Sequence, residues 1–336
     1  MKIKKPNWKG LYKPLLPLKN MEDFRSNEDL EVIGDRRDGK LYRYTPEIKL
    51  YVNIAMATGR PLLVLGPSGC GKSSLAFNLA RVLKRRYYEF VVTSRSQARD
   101  LFYRFDAVRR LANAYTGKEL QGEGHKGESV WDTLYPYIEP GPLWWIFDRQ
   151  SAERRGYAAS TPDFLRVVDP AVWQPQEEKV TPKTSAVLLI DEVDKAEPDF
   201  PNNLLVPLGS HQFTIEEVAQ VIKFRDSFQD VSNMPLVIIT SNRERELPEA
   251  FIRRCIVLEI AAPIIDDLIE IATAVTGKQQ EPFFRSIAEK IIELHGEEGL
   301  SIAEFLDAIY AIEKLNAQNP LLAEIVKSTT WRARES

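Results

Sequence analysis

The chain has 336 residues, 44% of them hydrophobic and 28% charged, which suits a packed fold of two domains, or of one α/β core with a lid. A net charge of −3 excludes a global pull toward nucleic acid, and the two cysteines, Cys70 and Cys255, exclude a disulfide framework. No apolar run is long enough to span a bilayer, and no apolar stretch follows the N-terminal lysines, so the expectation is a soluble cytoplasmic protein without a signal peptide.

Residues 1–40 read as an irregular N-terminal leader. Lys2, Lys4, Lys5, Lys9, Lys13 and Lys19 precede any acid, and Pro6, Pro14 and Pro17 deny a helix. Trp8, Leu11, Tyr12, Leu15 and Leu16 suit docking on a neighbouring domain or subunit, and the lysines suit a solvated face better than a nucleic-acid site. Thr45-Pro46-Glu47 is a helix start, with an N-cap, a proline in the first position and an acid in the first turn. That helix carries Ile48, Tyr51, Val52, Ile54 and Ala55 and stops near Gly59. Tyr44, Ile48 and Val52 are candidates to lie over a bound base, with plain packing as the other reading.

An apolar run, Pro61 to Leu65, then breaks into Gly66-Pro67-Ser68-Gly69-Cys70-Gly71-Lys72-Ser73-Ser74 and opens a helix. Gly66, Gly71, Lys72 and Ser73 fill G-x-x-x-x-G-K-[ST] in the strand–loop–helix context of a phosphate-binding loop. Glycines let successive N–H groups turn inward as an anion nest, which the helix N-terminus extends. Lys72 is the residue to reach the β/γ-phosphates, and the Ser73 hydroxyl the one to ligate Mg²⁺.

Tyr87–Thr93 reads as a second strand. Leu101, Phe102, Phe105, Val108, Leu111 and Ala112 then predict a helix, with Asp100, Arg104, Asp106, Arg109 and Arg110 on its other faces. The span 116–184 departs from a minimal core. Gly117, Gly122, Gly124 and Gly127 mark a projection with His125 at its tip, and Trp131, Tyr135, Tyr137, Trp144, Trp145 and Phe147 form an aromatic block. The tip suits function and the tryptophans suit core.

Ala186–Ile190 is a continuous apolar run, the pattern of a buried parallel strand, and Asp191 and Glu192 follow at its C-terminal end. Asp191 is placed to hold the Mg²⁺ shell and Glu192 to activate an attacking water as general base. A helix from Phe200 to Leu208 and a hairpin pairing Gln212–Ile215 with Val221–Phe224 lead to a third apolar strand, Leu236–Thr240. Ser241-Asn242 ends it, and the Asn242 side chain is either a water-orienting group or a turn residue. Leu247–Cys255 starts a helix bearing Arg253 and Arg254, and Ile256–Ile260 is a last strand. Beyond Pro263 the pattern is helical only: Ile264–Thr276, Pro282–His295, Ser301–Leu315 and Pro320–Ser328. The domains expected are a leader (1–40), an α/β nucleotide-binding domain (41–262, insertion around 116–184) and a small all-helical lid (263–336).

These parts in this order resemble the AAA+ ATPases, whose fold is a P-loop parallel sheet flanked by helices and followed by a helical lid. Arg60-Pro61-Leu62-Leu63, Glu139-Pro140-Gly141-Pro142-Leu143-Trp144, Asp191-Glu192-Val193-Asp194-Lys195-Ala196 and Leu247-Pro248-Glu249-Ala250 are most similar to the MoxR-like group. The resemblance runs from about Tyr44 to Leu315. It implies ATP and Mg²⁺ as ligands, ATP hydrolysis, Asn242 as the sensor residue and Arg254, with Arg253 as backup, as an arginine finger for a neighbouring subunit. It further implies a homo-oligomeric ring, typically a hexamer, that remodels a partner protein, with a von Willebrand factor A-domain protein as one such partner. One position departs from the family: Ala303 stands where the lid usually carries an arginine. That substitution keeps open a slowly hydrolysing switch in a defence or signalling assembly. A nucleic-acid motor or loader has only the Arg95–Arg110 cluster behind it.

Overall fold

The computed structural model of the chain describes residues 40–116, 134–161, 164, 166–175, 185–224, 234–296, 301–314 and 326. The leader up to residue 39, the tip at Gly117–Gly127 with His125, Trp131, and all of the expected Pro320–Ser328 helix except Val326 lie outside the described residues. The described parts of Met1–Leu50, Val64–Asn78 and Leu258–Ser336 form one compact unit, and those of Tyr51–Leu63 and Leu79–Val257 another.

Nine strands run in chain order through the described residues: β1 (Leu62–Leu65), β2 (Arg86–Val91), β3 (Tyr103–Phe105), β4 (Ile138–Pro140), β5 (Ala186–Asp191), β6 (Gln212–Ile215), β7 (Gln220–Lys223), β8 (Leu236–Ser241) and β9 (Ile256–Glu259). Five of them make one sheet in the order β2-β5-β8-β1-β9. The β2–β5 and β5–β8 pairs are parallel, and β9 advances with β1 through Ile256 N–H to Pro61 O and Ile260 N–H to Leu65 O, each 2.8 Å. Every residue of β5 and β8 is buried, which is why these strands read as unbroken apolar runs rather than as alternation. The register sets Asp191 beside Val91, so the acidic pair emerges at the C-terminal edge, where parallel sheets receive ligands. The fold is the expected parallel sheet flanked by helices, with a helical C-terminal region.

The helices follow the chain as α1 (Pro46–Thr58), α2 (Lys72–Val82), α3 (Ala107–Thr116), α4 (Pro142–Phe147), α5 (Arg149–Glu153), α6 (Asp199–Ser210), α7 (Glu249–Ile252), α8 (Ile265–Thr276), α9 (Glu281–His295) and α10 (Ile302–Lys314). Thr45 caps α1 as expected, its hydroxyl accepting the Ile48 N–H at 3.2 Å. Trp144 and Trp145 of α4 are core residues, and β6 and β7 form the expected antiparallel hairpin. In the C-terminal region, α8, α9 and α10 close around Leu268, Phe284, Ile287, Phe305 and Ile309, all without solvent exposure.

The helix expected over Leu101–Ala112 is a correction. Ala98–Leu101 is a 3-10 turn, Tyr103–Phe105 pairs antiparallel with Ile138–Pro140, and only from Ala107 is the chain helical. The hydrogen bonds offered by β4 outweigh the helical spacing of the apolar residues. Asp106 then starts α3, its Oδ1 accepting the Arg109 N–H at 2.8 Å. Val108, Leu111 and Tyr115 on that helix are exposed, not core.

Candidate nucleotide site

The predicted phosphate-binding residues span the loop between β1 and α2, Gly66 to Gly71, and the first turn of α2, Lys72 to Ser74. Two glycines in the loop are demanded by space. A Cβ on Gly66 would stand 2.3 Å from the Ile260 carbonyl oxygen, and one on Gly69, at φ +75°, would stand 2.1 Å from Ser301 Oγ. Pro67 and Ser68 are exposed, whereas Ser73 and Ser74 are half-buried in the first turn of α2. Lys72 is buried, and its ammonium donates to the carbonyls of Gly66 (2.9 Å) and Pro67 (2.7 Å), so it lies over the loop itself. Cys70 is also buried, and burial raises its thiol pKa against the lowering influence of Lys72.

The start of α10 meets this loop. The Ile302 N–H donates to the Gly69 carbonyl at 3.0 Å, and Ser301 is buried beside it. Ala303 is exposed, so no charged side chain is offered at the position where the resemblance expects one. Tyr42, which sequence reasoning passed over, lies 3.5 Å from the space a Gly71 Cβ would take and packs edge-on against Tyr44. Of the base-pocket candidates, Tyr44, Ile48 and Val52 are all core side chains, and the Tyr44 hydroxyl donates to Asn78 Oδ1 at 2.5 Å.

The acidic strand end is a connected polar network. Thr240 is fully buried; its hydroxyl donates to Asp191 Oδ1 at 2.5 Å and accepts the Glu192 N–H at 2.9 Å. That second bond fixes Glu192 in the left-handed region, at φ 60° and ψ 50°. A non-glycine residue there stores about 1–3 kcal/mol of strain, a cost that concentrates at functional positions. The Glu192 carboxylate is gripped at both oxygens: Asn242 Nδ2 donates to Oε1 at 3.2 Å, and Lys195 Nζ pairs with Oε2 at 2.6 Å. The bond to Glu192 holds the Lys195 ammonium above its ordinary pKa. Asp194 in turn accepts the N–H groups of Asn242 (3.1 Å) and Glu244 (2.9 Å). The structure therefore brings Asp191, Glu192 and Asn242 together. Thr240, Asp194 and Lys195 were given no role at the site from sequence, although the Asp194-Lys195 pair, one residue beyond Glu192, was a visible signal.

Arg253 and Arg254 follow α7 and are both exposed. Arg253 is ion-paired with Glu249, one helical turn back, while among the described residues the Arg254 side chain reaches the Ala250 carbonyl of α7, 3.5 Å away. Among the described residues neither guanidinium pairs with Asp191 or Glu192. The Arg95–Arg110 cluster is partly spent internally, since Arg99 pairs with Glu217 and Arg104 with Asp100.

Oxygen donors of this kind, a serine hydroxyl (Ser73) and a carboxylate held by Thr240 (Asp191), fit a hard divalent cation in chemistry. No helix among the described residues is long and apolar enough to cross a membrane.

The most similar solved structures include a point mutant of Thermotoga maritima RuvB (15% identity, 84% of this chain and 67% of that one, TM-score 0.43). The Thermotoga maritima RuvB Holliday junction branch migration motor is 13% identical, over 83% of this chain and 65% of that one, with a TM-score of 0.39. A Cytophaga hutchinsonii protein with a provisional ATPase designation is 14% identical, over 72% of this chain and 57% of that one, with a TM-score of 0.37. No curated protein matches the sequence. Residues 61–133, which run from the start of β1 past α3, match the family described as AAA domain (dynein-related subfamily).

Proposed function

We propose that this chain binds ATP with Mg²⁺ at Gly66–Ser74 and hydrolyses it to ADP and phosphate, as the ring-forming motor of a MoxR-like remodelling ATPase. The observation that carries the reading is the Glu192 carboxylate, oriented by Asn242 and set beside a Thr240-anchored Asp191 at the end of β5. The AAA-domain match over 61–133 supports the phosphate loop independently. In this reading Lys72 holds the β/γ-phosphates, Glu192 takes a proton from the attacking water, and Asn242 keeps that carboxylate aimed. Ser73 and Asp191 would hold Mg²⁺, which would supply charge neutralisation at the phosphates. Arg254, the less committed of the two arginines, serves a neighbouring subunit. The MoxR-like assignment, the ring and a von Willebrand factor A-domain partner rest on the sequence resemblance.

One observation favours a second reading. The 2.6 Å Lys195–Glu192 ion pair weakens the carboxylate as a base, as a slowly hydrolysing nucleotide switch requires. ATP hydrolysis measured against protein concentration, for wild type and Glu192→Gln, with mass determined in parallel, separates the two. Turnover that rises cooperatively with assembly and vanishes in the variant is the motor's result. Tight ATP binding with negligible turnover in every assembled state defeats the motor and leaves the switch.

A further inference from the structure

We infer that Arg60 is a positioning residue for the arginine finger, holding the turn from which Arg253 and Arg254 project; this rests on the finger reading proposed above. Arg60 Nε donates to the Arg254 carbonyl at 3.1 Å, and Nη2 donates to the carbonyls of Arg253 and Cys255, the latter at 2.9 Å. The next residue, Pro61, accepts the Ile256 N–H at 2.8 Å. A single dipeptide thus grips four consecutive backbone groups, residues 253 to 256. Three of them are carbonyls left without helical partners where a one-turn helix, α7, gives way to β9.

The chemistry is particular to arginine. Only a planar guanidinium offers a fixed fork of donors that can span successive carbonyls; a lysine ammonium is a point charge. Among the described residues Arg60 makes no ion pair, so its side chain is committed to this turn. The grip faces the backbone and leaves the two arginine side chains outward, Arg253 at 74% exposure. Without the Arg60 side chain the turn keeps its short-range bonds, Arg254 N–H to Phe251 O and Cys255 N–H to Ile252 O at 3.0 Å each, and the backbone bond from Ile256 to Pro61, but the carbonyls of residues 253 to 255 lose their hold. A finger must meet developing charge within a fraction of an ångström, and a misplacement of about 1 Å costs about a hundredfold.

The test uses the full chain and subunit mixing. Arg60→Ala, Arg60→Lys and Arg254→Ala are each assayed alone and mixed with Glu192→Gln subunits, with ATP affinity measured separately. Arg60→Ala should bind ATP as wild type does and lose kcat roughly 10- to 100-fold. Arg60→Lys should fall between the two. Mixing should restore turnover, because the defective turn of one subunit is replaced by the intact turn of a Glu192→Gln neighbour, and Arg254→Ala should be rescued in the same way. Wild-type turnover in Arg60→Ala overturns the inference. So does rescue of Arg254→Ala without rescue of Arg60→Ala, which would mark a defect inside the subunit. If Arg254→Ala itself is not rescued, the finger reading falls and takes the inference with it. Should Arg60→Ala fail to fold, Arg60→Lys carries the same mixing test.

Discussion

At the scale of single residues, the Thr240 hydroxyl serves two neighbours at once, Asp191 Oδ1 and the Glu192 N–H. Thr240→Val keeps the volume but leaves both groups short of a partner in a buried place. We expect a loss of about 1–3 kcal/mol in thermal unfolding together with a fall in ATP turnover. Lys195→Met should raise turnover a few-fold at most, since a half-exposed ion pair is worth about 1 kcal/mol or less. A drop instead would mean that Lys195 aims the carboxylate rather than restraining it. Burial raises the thiol pKa of Cys70, and pushes that of Cys255 up to about 12. Only thiolates are alkylated, so both should resist maleimide at pH 8 in the native protein and react after unfolding in urea, as mass spectrometry would read.

Elements of similar pattern carry different weight. Phe305 sits at zero exposure among α8, α9 and α10, so Phe305→Ala should cost about 3–5 kcal/mol. Leu111 on α3 is largely exposed, and Leu111→Ser should stay within about 0.5 kcal/mol in the same urea titration. The strands β1, β5 and β8 were legible because burial on both faces leaves an unbroken apolar run. The stretch 98–116 was not, because its apolar spacing imitates a helix and the strand that overrides it, β4, begins more than thirty residues after the end of β3. Within the site, the carboxylates announced themselves through their position after β5. Thr240 and Arg60 did not, since one binds across to a neighbouring strand and the other binds only backbone carbonyls, and neither partner is visible in local pattern.

For the molecule as a whole, internal pairing of Arg99 with Glu217 and of Arg104 with Asp100 offsets part of the Arg95–Arg110 cluster, the feature behind a nucleic-acid motor. Duplex DNA titrated at low and physiological salt should show no strong, salt-steep binding; finding it would revive the loader reading. The strand order has a consequence for how the protein is made. β1 lies between β8 and β9, which emerge about 170 and 190 residues after it. A ribosome moving at about 5–20 residues per second leaves β1 unpaired for on the order of 10 s or longer. The phosphate loop, held between β1 and α2, therefore cannot take its shape until nearly all of the sheet is synthesised. Nascent chains arrested before residue 256 should fail to retain ATP and should be sensitive to protease around residues 62–82, whereas chains arrested well past β9 should be protected. Pairing across so long a separation also predicts slow refolding from denaturant, so nucleotide capture would be the last event of folding and a direct readout of its completion.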